Sequence, residues 1–140
     1  MDLPALGHDA DRVLARIFAD PSVLKVGLDF SHDLATLHAT YPTLRCFARG
    51  AMRSLVDLQT LFRAVHPQFP HTVSLVNACL YAHARPVSKG KQLSNWALRP
   101  LDAQQMQYAA LDVLTLPLVL ERLLDEAARR RVPIAAAFEK

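Results

Sequence analysis

A tyrosine and an aspartate, Tyr108 and Asp112, stand four residues apart in a stretch with a helical pattern. Side chains at this spacing lie on one face of a helix, so the phenol and the carboxylate would face the same site. A phenol stays neutral near pH 7 and can both donate and accept a hydrogen bond. Taken alone, such a pair is more often a partly buried aromatic beside a solvated acid, because short motifs arise frequently by chance.

A second carboxylate, Asp33, follows Gly27 by six residues. Residues 23–27 predict a short buried strand that ends at this glycine, and Asp33 falls just inside the helix expected next. Ligands of open α/β sheets gather beyond the carboxyl ends of the strands, where carboxylates suit a hard cation such as Mg²⁺. Nearby, Asp29 is either an extra acid or, as we favour, a turn residue. His32 is more simply explained as surface.

A polar, basic segment lies between the two carboxylates, over residues 88–101 (SKGKQLSNWALRPL). Basic side chains can neutralise phosphates, and an aromatic ring can support a nucleic-acid base by stacking. For the tryptophan, an equally good role is that of a core anchor whose indole N–H binds a nearby carbonyl. The candidate nucleic-acid-binding residues are Lys89, Lys91, Asn95, Trp96 and Arg99.

The remaining pattern predicts an α/β domain with few strands and a helix-rich C-terminal half. Asp102 and Gln105 fit a capping box, Ser31 is a possible cap of the second helix, and Pro117 should bend or interrupt the last one. Residues 85–100 are expected to form a loop. Helices are predicted over residues 9–18, 31–38, 58–65, 72–81 and 102–130, and strands over residues 23–27 and 55–58.

Composition indicates a soluble globular protein. Of the 140 residues, 51% are apolar and 21% are charged, and the net charge of +3 permits nucleic-acid binding without arguing for it. No apolar run approaches the roughly 20 residues that cross a bilayer, and the first residues lack the pattern of a secretory signal. Cys46 and Cys79 lack the spacing of metal ligands and are expected to be free thiols. An intracellular location follows, in either nucleus or cytoplasm.

From residue 25 to about residue 120 the sequence resembles the DEDDy 3′–5′ exonucleases, typified by ribonuclease D, the Werner-syndrome exonuclease domain and Nibbler-type RNA-trimming enzymes. The resemblance rests on residues 92–96 (QLSNW), 99–101 (RPL) and 108–112 (YAALD), which match the family pattern without a gap. Residues 1–6 also resemble the segment after the family's third strand. The resemblance implies a ribonuclease H-like fold in a single partial domain, residues 1–140, with its motifs within residues 23–125.

The resemblance also implies a site and a reaction. Asp33 and Asp112 would bind metal as the second and third acidic motifs, and Tyr108 would position the attacking water. Two Mg²⁺ or Mn²⁺ ions would stabilise the attacking and leaving oxygens of the phosphodiester. The expected substrates are 3′ ends of single-stranded RNA or DNA, and the product is a nucleoside 5′-monophosphate. The choice between RNA and DNA stays open, because it depends on contacts to the 2′-hydroxyl.

One departure concerns the family's first acidic motif, an Asp-x-Glu. The 26 residues before Gly27 contain no such tripeptide. Asp9 and Asp11 have the spacing but stand at a predicted helix start, where acids favour capping and the helix dipole. With only two acids, we expect weak metal binding and little or no degradation by this chain alone. An N-terminally truncated fold with a reduced sheet should also be of low stability or self-associate.

Two other functions stay open. A degenerate, non-catalytic nuclease-like module could bind nucleic acid or a protein partner through the basic loop and residues 129–131 (RRR). Salt-dependent affinity for RNA without turnover would favour this module. A helical interaction domain with no nucleic-acid role would require the match over residues 94–112 to be chance. It would predict no response of Trp96 fluorescence to nucleic acid and Mn²⁺.

Overall fold

A computed structural model describes residues 3–48, 50–68, 72–83, 89–135 and 138, with the backbone alone for residues 3–6, 8, 83 and 89. Contacts divide the chain into two compact units, one of which comprises Leu58–Pro133 and the other the remainder. Single 3₁₀ turns cover Arg45–Phe47 and Lys89–Lys91. The helices and strands are α1 (Leu3–Ala19), β1 (Lys25–Gly27), α2 (Phe30–Thr40), β2 (Leu55–Asp57), α3 (Leu58–Val65), α4 (Leu75–His83) and α5 (Ala103–Arg130).

The first unit contains a parallel sheet of two short strands, as the sequence predicted. Lys25 pairs with Leu55, and Gly27 pairs with Asp57. Helix α2 lies in the crossover between them, which is the usual connection of parallel strands. Both strands therefore end at the same edge of the sheet.

The core of this unit forms around the 3₁₀ turn. Cys46 is fully buried there, and the ring of Phe47 lies 6.2 Å from Phe18 and 6.4 Å from Tyr41. Burial and the neighbouring carboxylate of Asp11 raise the pKa of the Cys46 thiol to about 11, so this thiol stays protonated near neutral pH.

Asp11 lies near a helix start, as predicted, but the capping role expected for its side chain is wrong. The range of α1 contains two helices joined at a kink at Gly7, whose φ of 46° and ψ of −128° are not helical, and Asp11 lies in the first part of the second helix. Its side chain is buried and accepts the N–H of Cys46 at 2.8 Å. This hydrogen bond lowers the pKa of Asp11 and fixes the 3₁₀ turn against α1.

The turn between β1 and α2 has two restrictive positions. A Cβ atom on Gly27 would lie 2.0 Å from a ring carbon of Phe30, so only glycine fits. Asp29 has φ 60° and ψ 42°, a left-handed conformation that confirms it as a turn residue. Ser31 lies inside α2 and is not its cap, which corrects the prediction. The N–H groups of Asp29 and Phe30 instead donate to the carboxylate of Asp57.

The second unit is helical. Helix α5 packs against both α3 and α4, and Pro117 lies within α5 without interrupting it. Apolar side chains also remain exposed on α5, among them Met106, Val113 and Leu114, which are 55–67% exposed. The buried apolar residues are Leu58, Leu61, Phe62 and Val65 of α3, Ala78 and Cys79 of α4, and Val119, Leu120, Leu123 and Ala127 of α5.

The bounds of α3 match the prediction, whereas α4 begins three residues later than expected. The reason is the side chain of Gln59, which accepts the N–H of Val73 at 2.9 Å and donates to its carbonyl. The contact to the Val73 carbonyl occupies the acceptor that a helix beginning at residue 72 would offer to the N–H four residues later. Of the predicted loop, residues 85–88 lie outside the described residues. Among the described helices, none is long and apolar enough to cross a membrane.

Replacing Gly27 with alanine should destabilise the chain by about 1–3 kcal/mol, because the added methyl group overlaps the ring of Phe30. Chemical denaturation followed by circular dichroism measures the loss. The control is the same substitution in a Phe30→Ala background, which lacks the two nearest ring carbons and in which the cost should shrink. An unchanged cost in that background would contradict the steric explanation.

Candidate functional site

Helix α5 begins with the capping box that the sequence predicted. Asp102 Oδ1 accepts the N–H of Gln105 at 2.7 Å, and Gln105 Oε1 accepts the N–H of Asp102 at 2.9 Å. The other carboxylate oxygen of Asp102 accepts a hydrogen bond from Lys91 Nζ at 2.7 Å. The Lys91 contact first, and then the Gln105 N–H, lower the pKa of Asp102. These contacts fix the start of the helix that carries Tyr108 and Asp112.

The same glutamine also holds the segment before the helix. Gln105 Nε2 donates to Ser94 Oγ at 3.1 Å and to the carbonyl of Asn95 at 3.2 Å. The side-chain oxygen of Asn95 accepts the N–H of Ala97 at 3.0 Å, which closes a tight turn. Gln105 is buried, so its contacts fix one conformation of the loop next to α5.

Arg99 and Trp96 form a second set of contacts in this loop. Arg99 Nη1 donates to the carbonyls of Trp96 and Leu98 at 2.7 and 2.8 Å. The indole N–H of Trp96 donates to the carbonyl of Gln92 at 3.3 Å, as expected for an anchor, although the indole is only partly buried.

Four of the five candidate nucleic-acid-binding residues therefore have partners within the protein. These four side chains belong to Lys91, Asn95, Trp96 and Arg99, and they lie in the loop that leads into α5. The side chain of Lys89 lies outside the described part of the chain. Binding of phosphate or bases by these residues stays a prediction.

Tyr108 and Asp112 lie together on α5, as their spacing predicted. The ring of Tyr108 lies 6.0 Å from that of Trp96, with 52° between the planes. Its hydroxyl lies close enough to the carboxylate of Asp112 for the two groups to shift each other's pKa. Burial raises the pKa of Tyr108, and the negative charge of Asp112 adds to this effect. Burial also raises the pKa of Asp112, against the opposing effect of the hydrogen bond from Tyr108.

One oxygen of Asp112 is suited to a cation. Oδ1 is buried and has no hydrogen-bond partner among the described residues. A buried carboxylate oxygen without a partner is unfavourable, and a bound cation would remove that penalty. Mg²⁺ and Mn²⁺ prefer carboxylate oxygens and complete their shell with waters and phosphates. The donor chemistry of Asp112 therefore fits such an ion.

Asp33 belongs to the first unit. It lies in the first turn of α2, beyond the end of β1, and its side chain is exposed. This placement confirms the predicted position just inside a helix. The described residues contain no group of three or more His, Cys, Asp or Glu side chains that could hold a metal ion. The roles of Asp33, in one unit, and Asp112, in the other, as metal ligands stay predictions.

A partly buried polar cluster was not found from the sequence; it comprises His66, which directly follows α3, Tyr81 of α4, and Glu126 and Arg130 of α5. Glu126 accepts a hydrogen bond from Tyr81, forms an ion pair with Arg130, and has Oε2 3.5 Å from His66 Nε2. Burial raises the pKa of Tyr81 to about 12 and lowers that of His66. Because Arg130 also donates to the carbonyl of Val65 at 3.1 Å, the cluster ties the three helices together.

Comparison with known proteins gives consistent results. A sequence profile described as 3′–5′ exonuclease matches residues 2–127. The exonuclease mut-7 homolog of Aedes aegypti is 31% identical over 113 residues, which are 71% of this chain and 15% of that protein. The human exonuclease mut-7 homolog is 30% identical over 138 residues, which are 90% of this chain and 16% of that protein. The chain thus spans about a sixth of these relatives.

Among solved structures, the crystal structure of the Aedes aegypti Nibbler EXO domain resembles this chain with a TM-score of 0.77. The sequence identity is 24%, and the likeness covers 94% of this chain and 67% of that one. At this identity the likeness concerns the fold.

Replacing Asp102 with alanine should cost about 1 kcal/mol of stability, because the first turn of α5 loses its cap. The Asp102→Asn variant keeps a capping oxygen and loses only the charge that faces Lys91, so its loss should be smaller. Urea denaturation of both variants measures the difference. Equal losses would show that the ion pair, and not the cap, stabilises this helix start.

Proposed function

Because the chain belongs to the 3′–5′ exonuclease family and has its ribonuclease H-like fold, we propose that Asp33, Tyr108 and Asp112 serve in the hydrolysis of nucleic-acid 3′ ends. Asp33 and Asp112 hold divalent metal ions, and Tyr108 positions the attacking water. The observation that carries this proposal is the Oδ1 atom of Asp112, which is buried without a hydrogen-bond partner among the described residues.

The hydroxyl oxygen of Tyr108 has a lone pair with which it can position the attacking water. In the proposed arrangement its hydroxyl hydrogen is donated to Asp112, so its oxygen can accept a hydrogen from a water molecule. Accepting that hydrogen turns a lone pair of the water toward the phosphorus atom. The packing of Trp96 against the ring limits the positions that the hydroxyl can take. Because burial raises the pKa of Tyr108, its hydroxyl stays neutral at physiological pH.

The proposed reaction is an attack of water on the last phosphodiester. The water oxygen bonds to phosphorus, the bond from phosphorus to the 3′-oxygen breaks, and that oxygen takes up a proton. Divalent ions at the two carboxylates would stabilise the negative charge on the attacking and leaving oxygens. The products are a nucleoside 5′-monophosphate and a strand shortened by one nucleotide.

The proposal includes a requirement for acids from outside these 140 residues. The chain contains no Asp-x-Glu tripeptide, and two carboxylates are few for two ions. Exposed apolar side chains on α5, such as Val113 and Leu114, give this helix surface for contact with further polypeptide. We propose that such polypeptide supplies the first acidic motif, and that the substrates are single-stranded RNA or DNA.

Titration with Mn²⁺, followed by electron paramagnetic resonance of the free ion, tests the metal ligands. The chain should bind Mn²⁺ weakly, and Asp112→Asn should weaken binding by at least the roughly tenfold typical of metal-supporting groups. Asp125→Asn is the matched control, since Asp125 is an exposed acid on the same helix. Equal Mn²⁺ binding by the Asp112→Asn and Asp125→Asn variants would contradict the proposed role of Asp112.

Trimming of 5′-labelled single-stranded RNA and DNA in the presence of Mn²⁺ tests the need for further acids. We expect little or no shortening by the 140-residue chain. Strong shortening that Asp112→Asn abolishes would show that the chain needs no outside acids. Binding that weakens with salt, together with no Mn²⁺ affinity and no shortening, would instead indicate a non-catalytic nucleic-acid-binding module.

A further inference from the structure

Asp57, the last residue of β2, makes contacts that the roles assigned above do not use. Its Oδ1 accepts the N–H of Asp29 and its Oδ2 accepts the N–H of Phe30, both at 3.1 Å. Both donors lie at the start of α2, although Asp57 follows them by 28 and 27 residues. The register of the sheet explains this approach, because Asp57 pairs with Gly27 at the end of β1.

These contacts replace a missing local cap. Asp29, at the N-cap position, has a left-handed backbone, and its side chain makes no capping hydrogen bond. The first N–H groups of a helix have no partner within the helix and need an outside acceptor. The carboxylate of Asp57 supplies two such acceptors, and its negative charge is favourable at the positive end of the helix dipole.

Helix α2 carries Asp33 in this same first turn. The exposed side chain of Asp33 is not held by burial, so its position depends on the backbone of the turn. Loss of the Asp57 contacts would leave the N–H groups of Asp29 and Phe30 without these acceptors, so that the first turn of α2 would no longer be fixed to the end of β2. Metal ligands need to be held within a fraction of an ångström, about 0.5 Å.

We propose that Asp57 is a positioning residue that holds Asp33 for metal binding through the first turn of α2. The proposal rests on the function proposed above, since it requires Asp33 to be a metal ligand. An aspartate suits the role better than an asparagine does. The two N–H donors need two acceptor oxygens, whereas an asparagine offers one oxygen and one NH₂ group.

Mn²⁺ alone is the probe. In the wild-type chain, bound Mn²⁺ should broaden the amide NMR signals of the first turn of α2, and the concentration dependence of the broadening gives the affinity at Asp33. Asp57→Ala should weaken that affinity about tenfold, in the range seen when groups supporting a metal ligand are removed. Asp57→Asn should have a smaller effect. Asp9→Ala, which removes an exposed acid on α1, should have none.

A double-substitution cycle separates positioning from a general loss of structure. In an Asp33→Asn background, Asp57→Ala should cause no further loss of the Mn²⁺ affinity that the chain retains, measured by electron paramagnetic resonance of the free ion in both backgrounds, yet it should still lower the unfolding midpoint and speed hydrogen exchange of the Asp29 and Phe30 amides. An equal loss of affinity in both backgrounds would overturn the proposal. If Asp57→Ala does not fold, the same comparison with Asp57→Asn, which keeps one acceptor, decides the matter.

The two proposals fail in different ways. If Asp33→Asn leaves the Mn²⁺ broadening unchanged, Asp33 is not a ligand and the proposed function is wrong. If Asp33→Asn removes the broadening while a folded Asp57→Ala variant binds Mn²⁺ as the wild-type chain does, the proposed function stands and the role of Asp57 is refuted.

Discussion

The start of an α-helix leaves backbone N–H groups that must find acceptors outside the helix. In this chain, acidic side chains supply them at both helices that carry candidate site residues. Asp102 caps α5, which carries Tyr108 and Asp112, and Asp57 binds the first N–H groups of α2, which carries Asp33. In each case the contact fixes the turn or the loop that precedes the candidate residues. The positions of these residues therefore depend on hydrogen bonds to main-chain amides.

The hydrogen bonds and the ion pair within the loop before α5 also limit which of its side chains could bind nucleic acid. Lys91 already pairs with Asp102, so binding a phosphate means exchanging one anion for another. The described contacts of Arg99 use Nη1, and a guanidinium has further N–H groups that can meet a phosphate without breaking them. Arg99 is therefore the more accessible source of positive charge in this loop, and Lys91 serves the structure of the helix start.

The parts of the fold that depend on neighbouring residues could be predicted from the sequence. The capping box of Asp102 and Gln105 involves residues three apart, and α3 follows from its apolar period. The errors arise where the partner is distant. Ser31 fits a local cap, but Asp57 occupies that role from another strand, and Asp11 is bound to Cys46 across 35 residues. A single sequence does not show which distant groups the register of a sheet brings together.

For the candidate site, too, only the relation between neighbouring residues could be predicted from the sequence. The shared helix face of Tyr108 and Asp112 could be inferred from their spacing, but the unpartnered oxygen of Asp112 could not, because the burial of a single atom depends on the folded structure. That burial raises the pKa of Asp112 and makes its charge unfavourable in the metal-free protein. A bound cation would reverse the balance, since it stabilises the charged carboxylate in the same environment. If Asp112 binds metal as proposed, the stability lost by burying its carboxylate without a full set of partners would be recovered as affinity for the ion, which is a common relation between strain and function in binding sites.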